Sequence, residues 1–299
     1  MNKIWNWQNL QVSWKVEGEE RTSSIAVLLI HGFGASKDHW RFNQTYLGSI
    51  VPCYSIDLIG FGESSQPIAE LLYEKKRDDG FKYCFDQWSQ QITDFCEQVI
   101  QKPVLLVGNS IGGVIALHAC KALSNKSSGV VLIDCAQRQM DDKRLMDQSI
   151  FMRFLRPVIK TLVRQKFLSE SLFRNAAKPK FIEKVLKVAY PSGQNIDQEL
   201  VQLLFRPTQR SGAHEAFRGF INLFDDYLAT DLFLDCKRPI HMIWGEKDPW
   251  EPLEEAQKWS ETFENIKTLD VISEAGHCPH DEMPDKVNPI LKKIIQEAI

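Results

Sequence analysis

Six short apolar runs recur along the chain, and they do most to limit its fold: Ser24 to Ile30 (SIAVLLI), Cys53 to Leu58, Val104 to Val107, Gly129 to Ile133, Ile240 to Trp244 and Lys267 to Ile272. Strands that face water on one side alternate apolar with polar residues, whereas near-continuous apolarity marks strands covered on both faces, as in a parallel sheet. Helical patterns lie between the runs. Phe85 to Ile100 places Trp88, Ile92, Phe95 and Val99 at spacings of three and four, Gly113 to Leu123 follows the third run, and Asp285 to Ile299 is amphipathic. This alternation predicts an α/β fold, a doubly wound and mostly parallel sheet whose ligands sit at the carboxyl ends of the strands. With 299 residues, 43% of them hydrophobic, the chain can bury a core of that size.

The rhythm breaks once. From about Gln137 to Asp235 no strong strand pattern appears, and the composition turns helical, Phe-rich and basic. An unstructured loop of that length is improbable in a compact domain. The expected organisation is a core of residues 1–136 and 236–299 with an inserted helical cap at 137–235, which Pro157, Pro179, Pro191 and Pro207 punctuate into short helices. Between Arg138 and Arg210 there are 15 Lys and Arg against 7 Asp and Glu, in a chain whose net charge is −3. Within Phe151 to Phe167, Arg153, Arg156, Lys160 and Arg164 step along one side, and Phe151, Leu155, Val158, Leu162 and Val163 line the other. Such a helix can lie on an anionic membrane. Alternatively, it packs its apolar side over the active site and leaves its basic face solvated.

Charge and composition exclude several classes. A pI near 6.2 gives no global affinity for nucleic acid. Seven scattered cysteines without a C-x-x-C pair suit buried thiols in a reducing compartment. The first residues carry no signal-peptide pattern, and no window approaches the roughly 20 apolar residues of a spanning helix. A cytoplasmic protein, or one peripheral to an internal membrane, is expected.

Chemistry concentrates at Gly108-Asn109-Ser110-Ile111-Gly112, where an apolar run meets a helical pattern. In a G-x-S-x-G elbow the serine sits on a sharp turn, and glycines at 108 and 112 remove side chains that would collide there. A serine hydroxyl needs a base, and the base an orienting acid. His277, in Ala275-Gly276-His277-Cys278 after the last run, is the candidate base. Asp248, in Trp244-Gly245-Glu246-Lys247-Asp248, is the favoured acid because it gives the order Ser, Asp, His. Asp134, at the end of Gly129 to Ile133, is the alternative. His31-Gly32-Phe33-Gly34 leaves the first run where a second oxyanion donor is expected, so the amides of Phe33 and Ile111 are the candidate donors.

Other readings of these residues have weaker support. His277, Cys278, His280, Asp281 and Glu282 can be read as a metal cluster, but no second ligand group accompanies them at zinc spacing. The glycines after His31 fit neither nucleotide motif, since no Gly-Lys-Ser/Thr follows and Lys37 stands where a dinucleotide fingerprint needs glycine. Asp57 to Ser64 is read as a supporting turn.

Taken in order, His31-Gly-Phe-Gly, Asp57-x-x-Gly-x-Gly-x-Ser, Gly108-Asn-Ser-Ile-Gly, Gly245-x-x-Asp248 and Gly276-His277 resemble the α/β-hydrolase superfamily from about residue 24 to the C-terminus. Asp38 to Arg41 (DHWR), Ile56 to Gly62 (IDLIGFG) and Ala275 to Glu282 (AGHCPHDE) are similar to the pheophytinase and chlorophyll dephytylase branch. That resemblance implies a cofactor-free serine hydrolase acting on an apolar ester such as the phytol ester of a chlorophyll pigment. Related epoxide hydrolases and haloalkane dehalogenases carry an aspartate where this chain has Ser110. A general carboxylesterase or lipid esterase, a carbon–carbon bond hydrolase and a non-catalytic receptor for an apolar ligand remain compatible with the same residues.

Overall fold

The computed structural model describes residues 2–299. Its main sheet has eight strands: β1 (Lys3–Trp7), β2 (Leu10–Glu17), β3 (Ala26–Ile30), β4 (Cys53–Ile56), β7 (Val104–Asn109), β8 (Ser127–Ile133), β9 (Ile240–Gly245) and β10 (Ile266–Ile272). A separate two-residue ribbon pairs β5 (Ile68–Ala69) with β6 (Gly80–Phe81). The main order is β1-β2-β4-β3-β7-β8-β9-β10, with β1 and β2 antiparallel to their neighbours and the rest parallel. Strand order reverses between β3 and β7, so a crevice opens beyond their carboxyl ends.

All six apolar runs become strands, for a reason visible in β3. Leu28 and Ile30 pack toward α2 (Phe85–Phe95) and α3 (Ile111–Leu123), whereas Val27 and Leu29 pack toward α1 (Gln44–Gly48) and α12 (Pro284–Ala298). All four are inaccessible to solvent. Each such side chain contributes roughly 1.5–3 kcal/mol relative to exposure. A polar residue on either face would forfeit that term. The remaining core helices are α10 (Leu253–Thr262) and α11 (Pro279–Glu282).

The N-terminal hairpin has no counterpart among the six runs. Its strands alternate rather than run apolar, and Gln8 and Asn9 form a two-residue turn with φ of 47° and 65°. Primed turns of this kind match the twist of paired strands. Trp7 and Trp14 anchor the hairpin, Trp7 donating from Nε1 to Asp94 Oδ2 at 2.7 Å.

Between β8 and β9 lie a 3-10 helix (Asp142–Asp147) and six α-helices: α4 (Ile150–Arg164), α5 (Lys166–Ala176), α6 (Pro179–Ala189), α7 (Gln198–Thr208), α8 (Ala213–Ile221) and α9 (Ala229–Phe233). The prolines act unevenly. Pro179 starts α6 and Pro191 follows its end, but Pro157 lies inside α4 and Pro207 inside the last turn of α7. Those two therefore do not divide the segment as the sequence suggests.

A larger correction concerns α4. Most of its apolar side turns away from the cavity, which only Val163 of that side lines: Phe151 is 72% exposed and Phe154 79%, whereas Arg156 is 3% exposed. Asp142 explains the inversion. It accepts from Arg156 Nη2 at 2.7 Å and from Lys160 Nζ at 2.6 Å, and both cations lie against the Phe224 ring. A buried guanidinium requires such a partner. Once Asp142 fixes those two cations inward, the helical period turns Phe151, Phe154, Val158 and Leu162 outward.

Candidate active site

Strand β7 ends in a turn that holds Ser110 at φ 55° and ψ −122°, a conformation that costs a non-glycine residue roughly 1–3 kcal/mol. Its surroundings allow little else. A Cβ on Gly108 would lie 2.1 Å from the Gly112 carbonyl oxygen, and one on Gly112 would lie 2.4 Å from that of Ile30. The Ser110 amide donates to Ile133 O at 3.0 Å, and its carbonyl accepts from Gly113 and Ala136. Helix α3 begins at the next residue. The amides of Ile111 and Phe33 have no protein partner among the described residues. Both residues, with Gly32 and Gly34, line the same cavity as Ser110.

His277 reaches that cavity from the loop after β10. Its Nδ1 bonds Asp248 Oδ2 at 2.8 Å, which leaves Nε2 as the acceptor. Asp248 is fully buried and also accepts through Oδ1 from the amides of Trp250 and Glu251, at 2.8 and 3.1 Å. Burial alone would raise its affinity for a proton, but the His277 bond and charge outweigh it and hold the carboxyl below its ordinary range. Among the described residues no hydrogen bond joins Ser110 Oγ to His277 Nε2. Catalytic hydrogen bonds are often long in unliganded sites and tighten around substrate.

Asp134 does not bond the histidine. It accepts from the Gly245 amide at 2.9 Å through Oδ1, and its carboxyl meets that of Asp248. Burial first, and then the Asp248 charge, push Asp134 well above the usual carboxyl range. Asp134 Oδ2 is buried with no hydrogen-bond partner among the described residues. The structure thus brings Asp248 to His277 and sets Asp134 behind Asp248.

Three contributors have no signal in the motifs. Asn109 donates from Nδ2 to Ile133 O and His277 O, both at 3.1 Å, and so ties the loop of His277 to the strand that ends at Ser110. Trp250 sets its ring 4.9 Å from that of His277 at 74°. Glu251 lines the cavity, and burial pushes its carboxyl up to about 7.

The Asp57 turn braces the opposite wall. Asp57 accepts from the Lys37 and Glu63 amides, and buried Lys37 bonds Asp57 at 3.0 Å and Glu63 at 2.9 Å. His31 donates from Nδ1 to Gly32 O and accepts at Nε2 from Leu58, and burial lowers its pKa to about 4. The supposed metal ligands are engaged elsewhere. His280 lies against Trp40, Asp281 bonds Arg41 and Tyr190, and Glu282 accepts from Gly276.

The cavity measures about 850 Å³, near the top of the roughly 300–1,000 Å³ span of small-molecule pockets. Its lining is mostly apolar and includes Val163, Phe173, Phe181, Val185, Leu204 and Phe217 from the helical insertion.

Comparison with known proteins agrees with this architecture. The chain is 25% identical over 318 residues to the chloroplastic pheophytinase of Arabidopsis thaliana, covering 95% of this chain and 63% of that longer protein. It is 24% identical over 270 residues to the uncharacterized hydrolase YugF of Bacillus subtilis strain 168, covering 90% and 89% of the two chains. The fold of a thermophilic esterase from Thermogutta terrifontis superimposes with a TM-score of 0.73 at 20% identity, over 100% of this chain and 99% of that one. No helix among the described residues is long and apolar enough to cross a membrane. The sequence profile of the alpha/beta hydrolase family matches residues 27–290, which hold the parallel strands of the sheet and the insertion, and the chain belongs to that family.

Proposed function

We propose that the protein is a serine hydrolase that cleaves a carboxylic ester carrying a long apolar group, with the phytol ester of a chlorophyll pigment as the first candidate substrate. One observation carries this reading: a strained serine and a histidine paired to a buried aspartate open into one large apolar cavity. The similarity to pheophytinase supports the pigment ester in particular.

In the proposed cycle His277 Nε2 removes the Ser110 proton as Oγ attacks the ester carbonyl, and Asp248 stabilises the resulting imidazolium. The amides of Phe33 and Ile111 receive the oxyanion, where preorganised dipoles act most strongly. The imidazolium then protonates the leaving alcohol. Water activated by the same histidine attacks the acyl-enzyme, returns Ser110 to its hydroxyl form and releases the acid. The cycle needs no metal or organic cofactor.

A fluorophosphonate probe should label wild type at Ser110, and Ser110→Ala should lose about four or more orders of magnitude in kcat while unfolding at the same temperature. Among synthetic esters, kcat/KM should rise by up to about fourfold per added methylene until the cavity is filled. Absence of labelling refutes the nucleophile. Activity confined to acetyl-sized esters of short alcohols refutes the apolar substrate.

A further inference from the structure

Helices α4, α5 and α6 place a concentration of apolar and basic groups at the surface. Of the 22 large hydrophobic side chains exposed among the described residues, ten lie between Ile150 and Val188. On α4 they form a stripe of Phe151, Phe154, Val158 and Leu162, and Phe167 and Leu172 of α5 continue the exposed set. A soluble surface seldom keeps so many large apolar groups together without a partner.

Charge narrows the choice of partner. Residues 150–189 carry ten Lys and Arg against two acids, Glu170 and Glu183. Arg156 and Lys160 are bound inward to Asp142, and Lys166 approaches Glu215 at 3.7 Å. The other seven, among them Arg153, Arg174, Lys180 and Lys184, have no acidic partner among the described residues. A second copy of the chain would bring the same cations face to face, so this surface is built against self-association. It is complementary to an extended anionic surface with an apolar interior.

We propose that α4 to α6 form a docking face for an anionic lipid bilayer, with the Phe151, Phe154, Val158 and Leu162 stripe entering the boundary between headgroups and acyl chains and the unpaired cations meeting lipid phosphates. Amphipathic helices bind bilayers by this combination of apolar insertion and electrostatic attraction. The placement suits access to the cavity. Val163 of α4, Leu172 of α5, and Phe181 and Val185 of α6 line it, so an apolar molecule leaving the bilayer would enter between the same helices. The inference stands apart from the reaction assigned to Ser110.

Co-sedimentation of the full chain with vesicles of phosphatidylcholine alone, and of phosphatidylcholine mixed with phosphatidylglycerol, tests it. Binding should require phosphatidylglycerol, weaken as salt rises, and fall on the order of tenfold or more in the F151S/F154S double variant. Both side chains are more than 70% exposed, so that variant should retain the wild-type unfolding temperature and fluorophosphonate labelling. A K180E/K184E variant provides a second reading, since it should lose binding without any loss of apolar area. No binding at low salt, or equal binding by F151S/F154S, overturns the proposal. Sedimentation without vesicles gives the remaining outcome: a concentration-dependent dimer that disappears in F151S/F154S would identify a second copy as the occupant and refute the bilayer.

Discussion

Replacing Glu251 with glutamine should alter how the protein responds to pH more than it alters the structure. The carboxyl accepts from the Gln137 amide at 2.8 Å through Oε2, a bond that a glutamine oxygen can also accept. Burial raises its pKa from an ordinary 4.5 to about 7, with the nearby Asp248 and Glu255 adding to the rise and His277 opposing it. The folded state therefore holds this proton across an interval in which the unfolded state has released it. Stability from this source is complete below about pH 4.5 and falls as pH rises through about 7. At roughly 1.4 kcal/mol per tenfold change in proton affinity, the loss is at most about 3 kcal/mol, because water in the cavity reduces it. Urea unfolding of wild type and Glu251→Gln from about pH 5 to about pH 8 measures it. The two should match at the acid end, and the variant should be the more stable by about 1–3 kcal/mol at the alkaline end. Titrating groups remote from Glu251 are common to both proteins and cancel in the difference. A difference that stays constant with pH would refute the argument.

Two other substitutions test the supports of the site. Asp134→Asn keeps an oxygen that accepts from the Gly245 amide and should hold kcat/KM within about threefold of wild type, whereas Asp134→Ala leaves that amide unpaired and should lower it about tenfold and displace the pH–rate profile. Equal rates in the two variants would deny Asp134 a positioning role. Arg41→Ala removes the guanidinium that bonds fully buried Asp281 at 2.7 Å, and should cost about 3 kcal/mol, seen as a drop of roughly 5 °C in Tm. A change under about 2 °C would mean that Tyr190 alone satisfies the carboxylate.

The central strands were legible because burial on both faces writes itself into consecutive residues, and the elbow because crowding at positions 108 and 112 leaves room only for glycine. The pairing of Asp248 with His277 followed from chain order. What escaped depended on partners far away in sequence. Asn109 reads as an arbitrary residue inside G-x-S-x-G, yet it bonds a carbonyl 168 residues on. Helix α4 shows an unmistakable amphipathic period, but its orientation was decided by Asp142, which lies outside the helix and draws two of its cations inward. Pro157 gave a breaking signal that the helix absorbed. The hairpin at the N-terminus carried its information in alternation and a two-residue turn, a pattern different from the apolar runs that marked the other strands.

The amide of His277 donates to Ala189 O at 2.9 Å, and a Cβ on Gly276 would collide with that same oxygen at 2.2 Å. The last turn of α6 is thus part of the seat of His277, although it belongs to the insertion by sequence. Tyr190 extends this seam through its bonds to His39 and Asp281. Grafting the insertion of a relative onto this sheet to change substrate should therefore succeed with a junction upstream of about residue 185, clear of this seam. A junction that replaced 189–197 would dislocate His277 in the same cut.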